Sequence, residues 1–145
     1  LSVDQAKQNR FAEKAREFYA KVLESNPGNL DVKTKMAMTY LSAENPMQGI
    51  TMLREVLAVD PKNELALLNM GMLSIQSGQY ERAVSRLQEL VKVNPNNIQG
   101  RLLLGIALMN SGDRQGAKEQ FEKVKQLDKD PAVQATVESY LKDLK

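Results

Sequence analysis

Three pairs of carboxylates lie close together in the sequence: Glu13/Glu17, Glu119/Glu122 and Asp128/Asp130. Two acidic side chains in unlike surroundings can divide the roles of general acid and general base, and a larger oxygen cluster can hold a hard cation. Here each pair has lysine neighbours on a helical period: Lys14 and Lys21, Lys118 and Lys123, Lys125 and Lys129. That is the pattern of a solvated face. The partners that most catalytic devices require are missing. The chain has no His and no Cys. This excludes Ser-His and Cys-His nucleophiles, imidazole and thiolate metal sites, iron–sulfur clusters and disulfides. Serines have no base to activate them. Gly71 and Gly105 fall inside helical periods, so they do not build a phosphate-binding loop after a strand. The expectation is no enzyme, no cofactor and no metal.

Composition narrows the partners. The 145 residues carry 20 Lys+Arg and 18 Asp+Glu, a net charge of +2. The signs are interspersed, with 9 basic and 9 acidic side chains in residues 1–72 and 11 and 9 in residues 73–145. With no basic block, no Trp, 3 Phe and 4 Tyr, nucleic acid is not an expected partner. No apolar run approaches the roughly 18 residues of a membrane span. The chain begins at Leu1, and its first residues lack the pattern of a secretory leader. The reading is a piece of a longer or processed polypeptide, in which a signal, an anchor or another domain would precede Leu1. The lack of Cys suits any compartment.

The elements that position these residues are set by proline and asparagine. Pro27, Pro61 and Pro95 are separated by a constant step of 34, as are Asn29, Asn63 and Asn97. Each pair is a turn followed by a helix N-cap. A fixed period in this range marks a stacked repeat. Within each period the apolar spacing is helical, predicting first helices over 30–43, 64–76 and 97–110 and second helices over 46–59, 80–93 and 114–127. The breaks are Glu44-Asn45-Pro46, Ser77-Gly78-Gln79 and Ser111-Gly112-Asp113. Gly suits a helix C-terminus, Asn45 and Asp113 an N-cap, and Pro46 a first helical position. A further helix is expected over about 4–25, with Phe11, Ala15, Phe18, Tyr19 and Val22 on one face. A last one is capped by Asp130-Pro131 and striped by Val133, Val137, Tyr140, Leu141 and Leu144.

These units resemble the tetratricopeptide repeat. The large-apolar/small pair reads Met36-Ala37, Met70-Gly71 and Leu104-Gly105. The small residue at the helix crossing reads Gly49, Ala83 and Ala117, followed by Leu53, Leu87 and Phe121. The chain departs from the pattern at Lys33, Leu67 and Arg101, where an aromatic is usual, and at Ser74 and Leu108, where Tyr is usual. Lys129 holds the place of the third closing proline, with Pro131 two residues later. The resemblance implies an all-α fold, a right-handed α-solenoid of antiparallel helix pairs. It would form a single domain: an N-terminal half repeat (4–27), repeats over 30–63, 64–97 and 98–131, and a capping helix (132–145).

The resemblance also implies that first helices line a concave groove. The inward positions then include Thr34, Met38 and Leu41; Leu65, Leu68, Met72 and Ile75; and Leu102, Ile106 and Met109. Nine of these ten are large and apolar, and a solvated groove would not be. The alternative is a register one position away, in which these side chains are core. Some relatives clamp a free carboxylate with Lys and Asn; Thr34 and Met38 stand in those places here, and only Asn69 matches a further clamp position. The expected function is a non-catalytic scaffold holding an apolar or amphipathic helix or extended segment of another protein. The alternatives are a groove closed by a homodimer or by a flanking segment of the parent chain, and a domain that positions substrates for an enzyme elsewhere in that chain.

Overall fold

The computed structural model describes residues 2–42 and 46–145. Asparagine opens a helix at each 34-residue step. The side-chain oxygens of Asn29, Asn63 and Asn97 accept from the backbone amides of Val32 (3.1 Å), Ala66 (3.0 Å) and Gly100 (2.8 Å). Each satisfies an amide that has no partner inside the helix, a gain of about 1 kcal/mol. Asp113 caps the amide of Gly116 and Asp130 that of Ala132, both at 2.8 Å. Gly78 and Gly112 close two helices with φ of 75° and 96°, a conformation that a Cβ disfavours. The cap expected at Asn45 lies outside the described residues.

The helices are α1 (Val3–Ser25), α2 (Leu30–Leu41), α3 (Pro46–Val59), α4 (Glu64–Gln76), α5 (Tyr80–Val93), α6 (Ile98–Ser111), α7 (Arg114–Leu127) and α8 (Pro131–Asp143). No strand occurs among the described residues. The bounds follow the periodic reading within a residue or two; α6 starts one residue late because Asn97 is its cap.

The chain divides into two compact units, Leu1–Ala66 and Leu67–Lys145, with the division inside α4. In the first unit α2 packs between α1 and α3. Thr34, Ala37, Leu53 and Val56 are fully buried there. A Cβ at Gly49 would come within 2.6 Å of the Ala37 carbonyl oxygen, so the α2–α3 crossing admits only hydrogen at that point. Lys33 reaches across to Glu55 at 2.6 Å. In the second unit α6 packs on α5 and α7, and α7 on α8. Its core includes Leu87, Leu90, Phe121, Val124 and Val137. A Cβ at Gly71 would come within 2.6 Å of Leu87, and one at Gly105 within 2.6 Å of Phe121.

The sequence groups Phe11, Ala15, Phe18, Tyr19 and Val22 as one buried-type face of α1, but the structure leaves Phe11 72% and Phe18 64% exposed, and no residue of α1 is fully buried. The other members of the stripe, Ala15, Tyr19 and Val22, are half-buried.

Candidate functional site

The glycines decide which sides of α6 are used. Gly105 faces Phe121 of α7, and Gly100 faces Leu90 of α5. At 3.6 residues per turn, Leu102, Ile106 and Met109 lie away from Gly100, Leu104 and Ala107. They stand at i, i+4 and i+7 and form one stripe. Leu104 and Ala107 are buried, whereas Leu102, Ile106 and Met109 are each half-buried. On α4 the arrangement repeats. Leu67 and Met70 are buried and Gly71 meets Leu87 of α5, while Leu68, Met72 and Ile75 form a half-buried stripe at the same spacing. Both stripes lie within the second unit.

The four remaining candidates lie in the first unit. Met38 is 39% exposed on α2. Leu65 is half-buried. Leu41 is half-buried beside Gly49 of α3. Thr34 differs from the surface position implied for it: it is fully buried, and its hydroxyl donates to the Leu30 carbonyl at 2.8 Å. Threonine is small enough for the α2 core, and a bond to the carbonyl four residues back satisfies its hydroxyl without a partner. Asn69, the lone match to a carboxylate clamp, is buried as well.

The carboxylate pairs have local structural roles or are solvated. Asp128 accepts from the amide of Asp130 at 2.9 Å, and Asp130 in turn caps α8. Glu13, Glu17, Glu119 and Glu122 are exposed. Between α7 and α8 a shallow depression is lined by Lys118, Lys125, Lys142 and Lys145 together with Glu122 and Glu138. Lys125 pairs with Glu138 at 3.3 Å, and lysines outnumber glutamates in the lining.

Three contacts were not legible in the residue pattern. Arg16 of α1 donates to the Thr39 carbonyl at 3.2 Å, and its guanidinium lies 4.7 Å from the centre of the Tyr40 ring. Arg101, whose pKa is lowered by burial, donates to Gln120 at 2.9 Å. Phe121 and Tyr140 stack with ring centres 5.0 Å apart.

Helix pairs with glycine or alanine at each crossing, repeated every 34 residues, define a helical-repeat scaffold. The family model of the tetratricopeptide repeat matches residues 7–68, 42–99 and 74–139, and the chain belongs to that family. At the level of sequence, no curated protein matches. Among solved structures, PilF of Pseudomonas aeruginosa superposes with a TM-score of 0.81 at 27% identity, over 94% of this chain and 61% of PilF. MamA superposes with a TM-score of 0.70 at 19% identity, over 99% and 93% of the two chains. TTC0263, a thermophilic tetratricopeptide-repeat protein of Thermus thermophilus, superposes with a TM-score of 0.74 at 18% identity, over 90% and 73%. The fold indicates a protein–protein interaction scaffold. No described helix is long and apolar enough to cross a membrane.

Proposed function

We propose that the chain is a non-catalytic scaffold whose first helices hold the apolar face of an amphipathic helix or extended segment of another protein. The observation that carries this reading is the pair of equivalent stripes, Leu68/Met72/Ile75 and Leu102/Ile106/Met109, each half-buried opposite buried residues of its own helix, Met70 on α4 and Leu104 and Ala107 on α6. Met38, Leu41 and Leu65 are separate candidate contacts on the first unit, and Thr34 is not among them. Met72 and Met109 lend the stripes adaptability, since an unbranched thioether side chain fits partners of varied shape.

Burying one such side chain contributes about 1.5–3 kcal/mol. Three or four anchors, set against an estimated 4–15 kcal/mol for association and ordering, limit the affinity to about micromolar at the tightest. Because the stripes carry no charge, binding should depend weakly on salt.

The test is selection from a displayed library of amphipathic peptides against the 145-residue chain. Enriched peptides should lose binding to Met72→Glu and Ile106→Glu while both variants keep their helical circular dichroism. Concentration-dependent dimerisation abolished by the same changes would favour closure by a second copy instead. Unfolding of both variants would show the stripes to be core and would overturn the reading.

A further inference from the structure

One pair of repeat positions carries an ion pair in the first repeat and two cations in the third. Lys33 of α2 reaches Glu55 of α3 at 2.6 Å. Two 34-residue steps lead from Lys33 to Arg101 of α6, and two from Glu55 to Lys123 of α7. Arg101 does face α7. Its Nη1 donates to Gln120 Oε1 at 2.9 Å, and Gln120 stands three residues before Lys123 on the same side of that helix. Its Nε donates to the Pro95 carbonyl at 2.6 Å. Neither acceptor carries a charge. Among the described residues Nη2 has no hydrogen-bond partner, and the Lys123 ammonium has no hydrogen bond or ion pair. The nearby carboxylates of α7 are engaged elsewhere. Glu119 accepts from Gln115 at 3.5 Å, and Glu122 lines the depression on the α8 side. Burial lowers the pKa of Arg101, as expected of a guanidinium with no carboxylate against it.

We propose that the edge formed by Arg101, Gln120 and Lys123 binds a carboxylate from an acidic segment of a partner protein. The first repeat specifies the occupant's chemistry, because there a carboxylate, Glu55, holds this position against a cation. Arg101 supplies the unused N–H groups of Nη2, Lys123 supplies a second positive charge, and Gln120 holds the guanidinium in place. Further helices of the same chain do not cover such an edge. The first repeat is followed by α4 and α5, yet the Lys33 and Glu55 side chains remain 28% and 53% exposed. The edge is also separate from the apolar stripes, since Arg101 lies about 100° round α6 from Leu102. The proposal does not depend on the groove.

The probe is a short peptide of three glutamates flanked by glycines, with both ends blocked. It is titrated at fixed ionic strength into the isotope-labelled 145-residue chain, and the Nε–H resonance of Arg101 is followed by NMR. A saturable shift is expected, with a dissociation constant on the order of millimolar. Lys123→Ala should weaken binding about threefold. Lys123→Glu, which gives the position its own carboxylate as in the first repeat, should weaken it about tenfold or more. Lys118→Glu makes the same charge change on the α8 side of α7 and should leave binding within about twofold. All three changes fall on exposed lysines, and thermal melts check that each variant stays folded. Absence of a saturable shift overturns the proposal. So does equal weakening by Lys118→Glu and Lys123→Glu, which would reduce the attraction to net charge. Tighter binding of inorganic phosphate than of the peptide would make the occupant a phosphate and would overturn the carboxylate. A concentration-dependent dimer abolished by Lys123→Glu would make a second copy the donor and would also overturn it.

Discussion

α8 meets α7 with Val137 fully buried, Tyr140 stacked on Phe121 and the Gln134 side-chain amide bonded to the carbonyls of Lys125 (2.8 Å) and Asp128 (2.5 Å). Its outer face is Ala132, Ala135, Ser139 and Lys142. α1 buries nothing completely, is tied to α2 through Arg16, and turns two phenylalanines to solvent. In a repeat fold an apolar helix face must be covered by a neighbour or made polar. α8 does so by composition. α1 keeps apolar residues in the register of the later second helices, with Phe11 and Phe18 exposed.

The largest effect that would sharpen this contrast is at Phe121. Phe121→Ala removes a fully buried ring that also supports Tyr140, and should cost about 3–5 kcal/mol in urea unfolding. Overpacking comes next. Ala83→Leu, at a fully buried crossing, should cost about 1–3 kcal/mol in the same melts. A silent result there would break the repeat register on which the comparison rests. Arg16→Met keeps much of the apolar stem but loses the Tyr40 ring contact and the Thr39 bond. About 1 kcal/mol is expected, read as faster amide exchange in α1 with α8 unchanged. The smallest effect is at Phe18. Phe18→Glu should move the melting midpoint by no more than about 0.5 kcal/mol equivalent, since the ring is already exposed. A large loss there would mean α1 is sealed like α8, and the contrast would disappear.

The fold was readable because its signals are local. The 34-residue step of Asn29, Asn63 and Asn97 marked helix starts, since a cap is made within three residues. Gly71 and Gly105 marked the packed sides, since a close helix crossing excludes a Cβ. The candidate surface was only partly readable. Periodicity placed Leu102, Ile106 and Met109 on one stripe, but it cannot separate half-buried from buried on a helix apolar nearly all round, and α4 and α6 are such helices. Thr34 was misread because a threonine that bonds its own helix is indistinguishable in sequence from one facing solvent. The bare face of α1 was hidden for a different reason. A stripe of Phe11, Ala15, Phe18 and Val22 is visible in the sequence, but what covers it depends on contacts far along the chain or outside it.

The methionines carry a chemical consequence. Met47 is 57% and Met38 39% exposed, whereas Met70 is buried. Mild peroxide should therefore convert Met47 and Met38 to sulfoxides first, then the half-buried Met72 and Met109, and Met70 last. Each conversion replaces an apolar thioether with a polar, chiral oxide. The early products leave the core untouched, so an oxidised sample would still melt like the native protein. On Met72 and Met109 the same chemistry would make the α4 and α6 stripes polar before the helices themselves come apart.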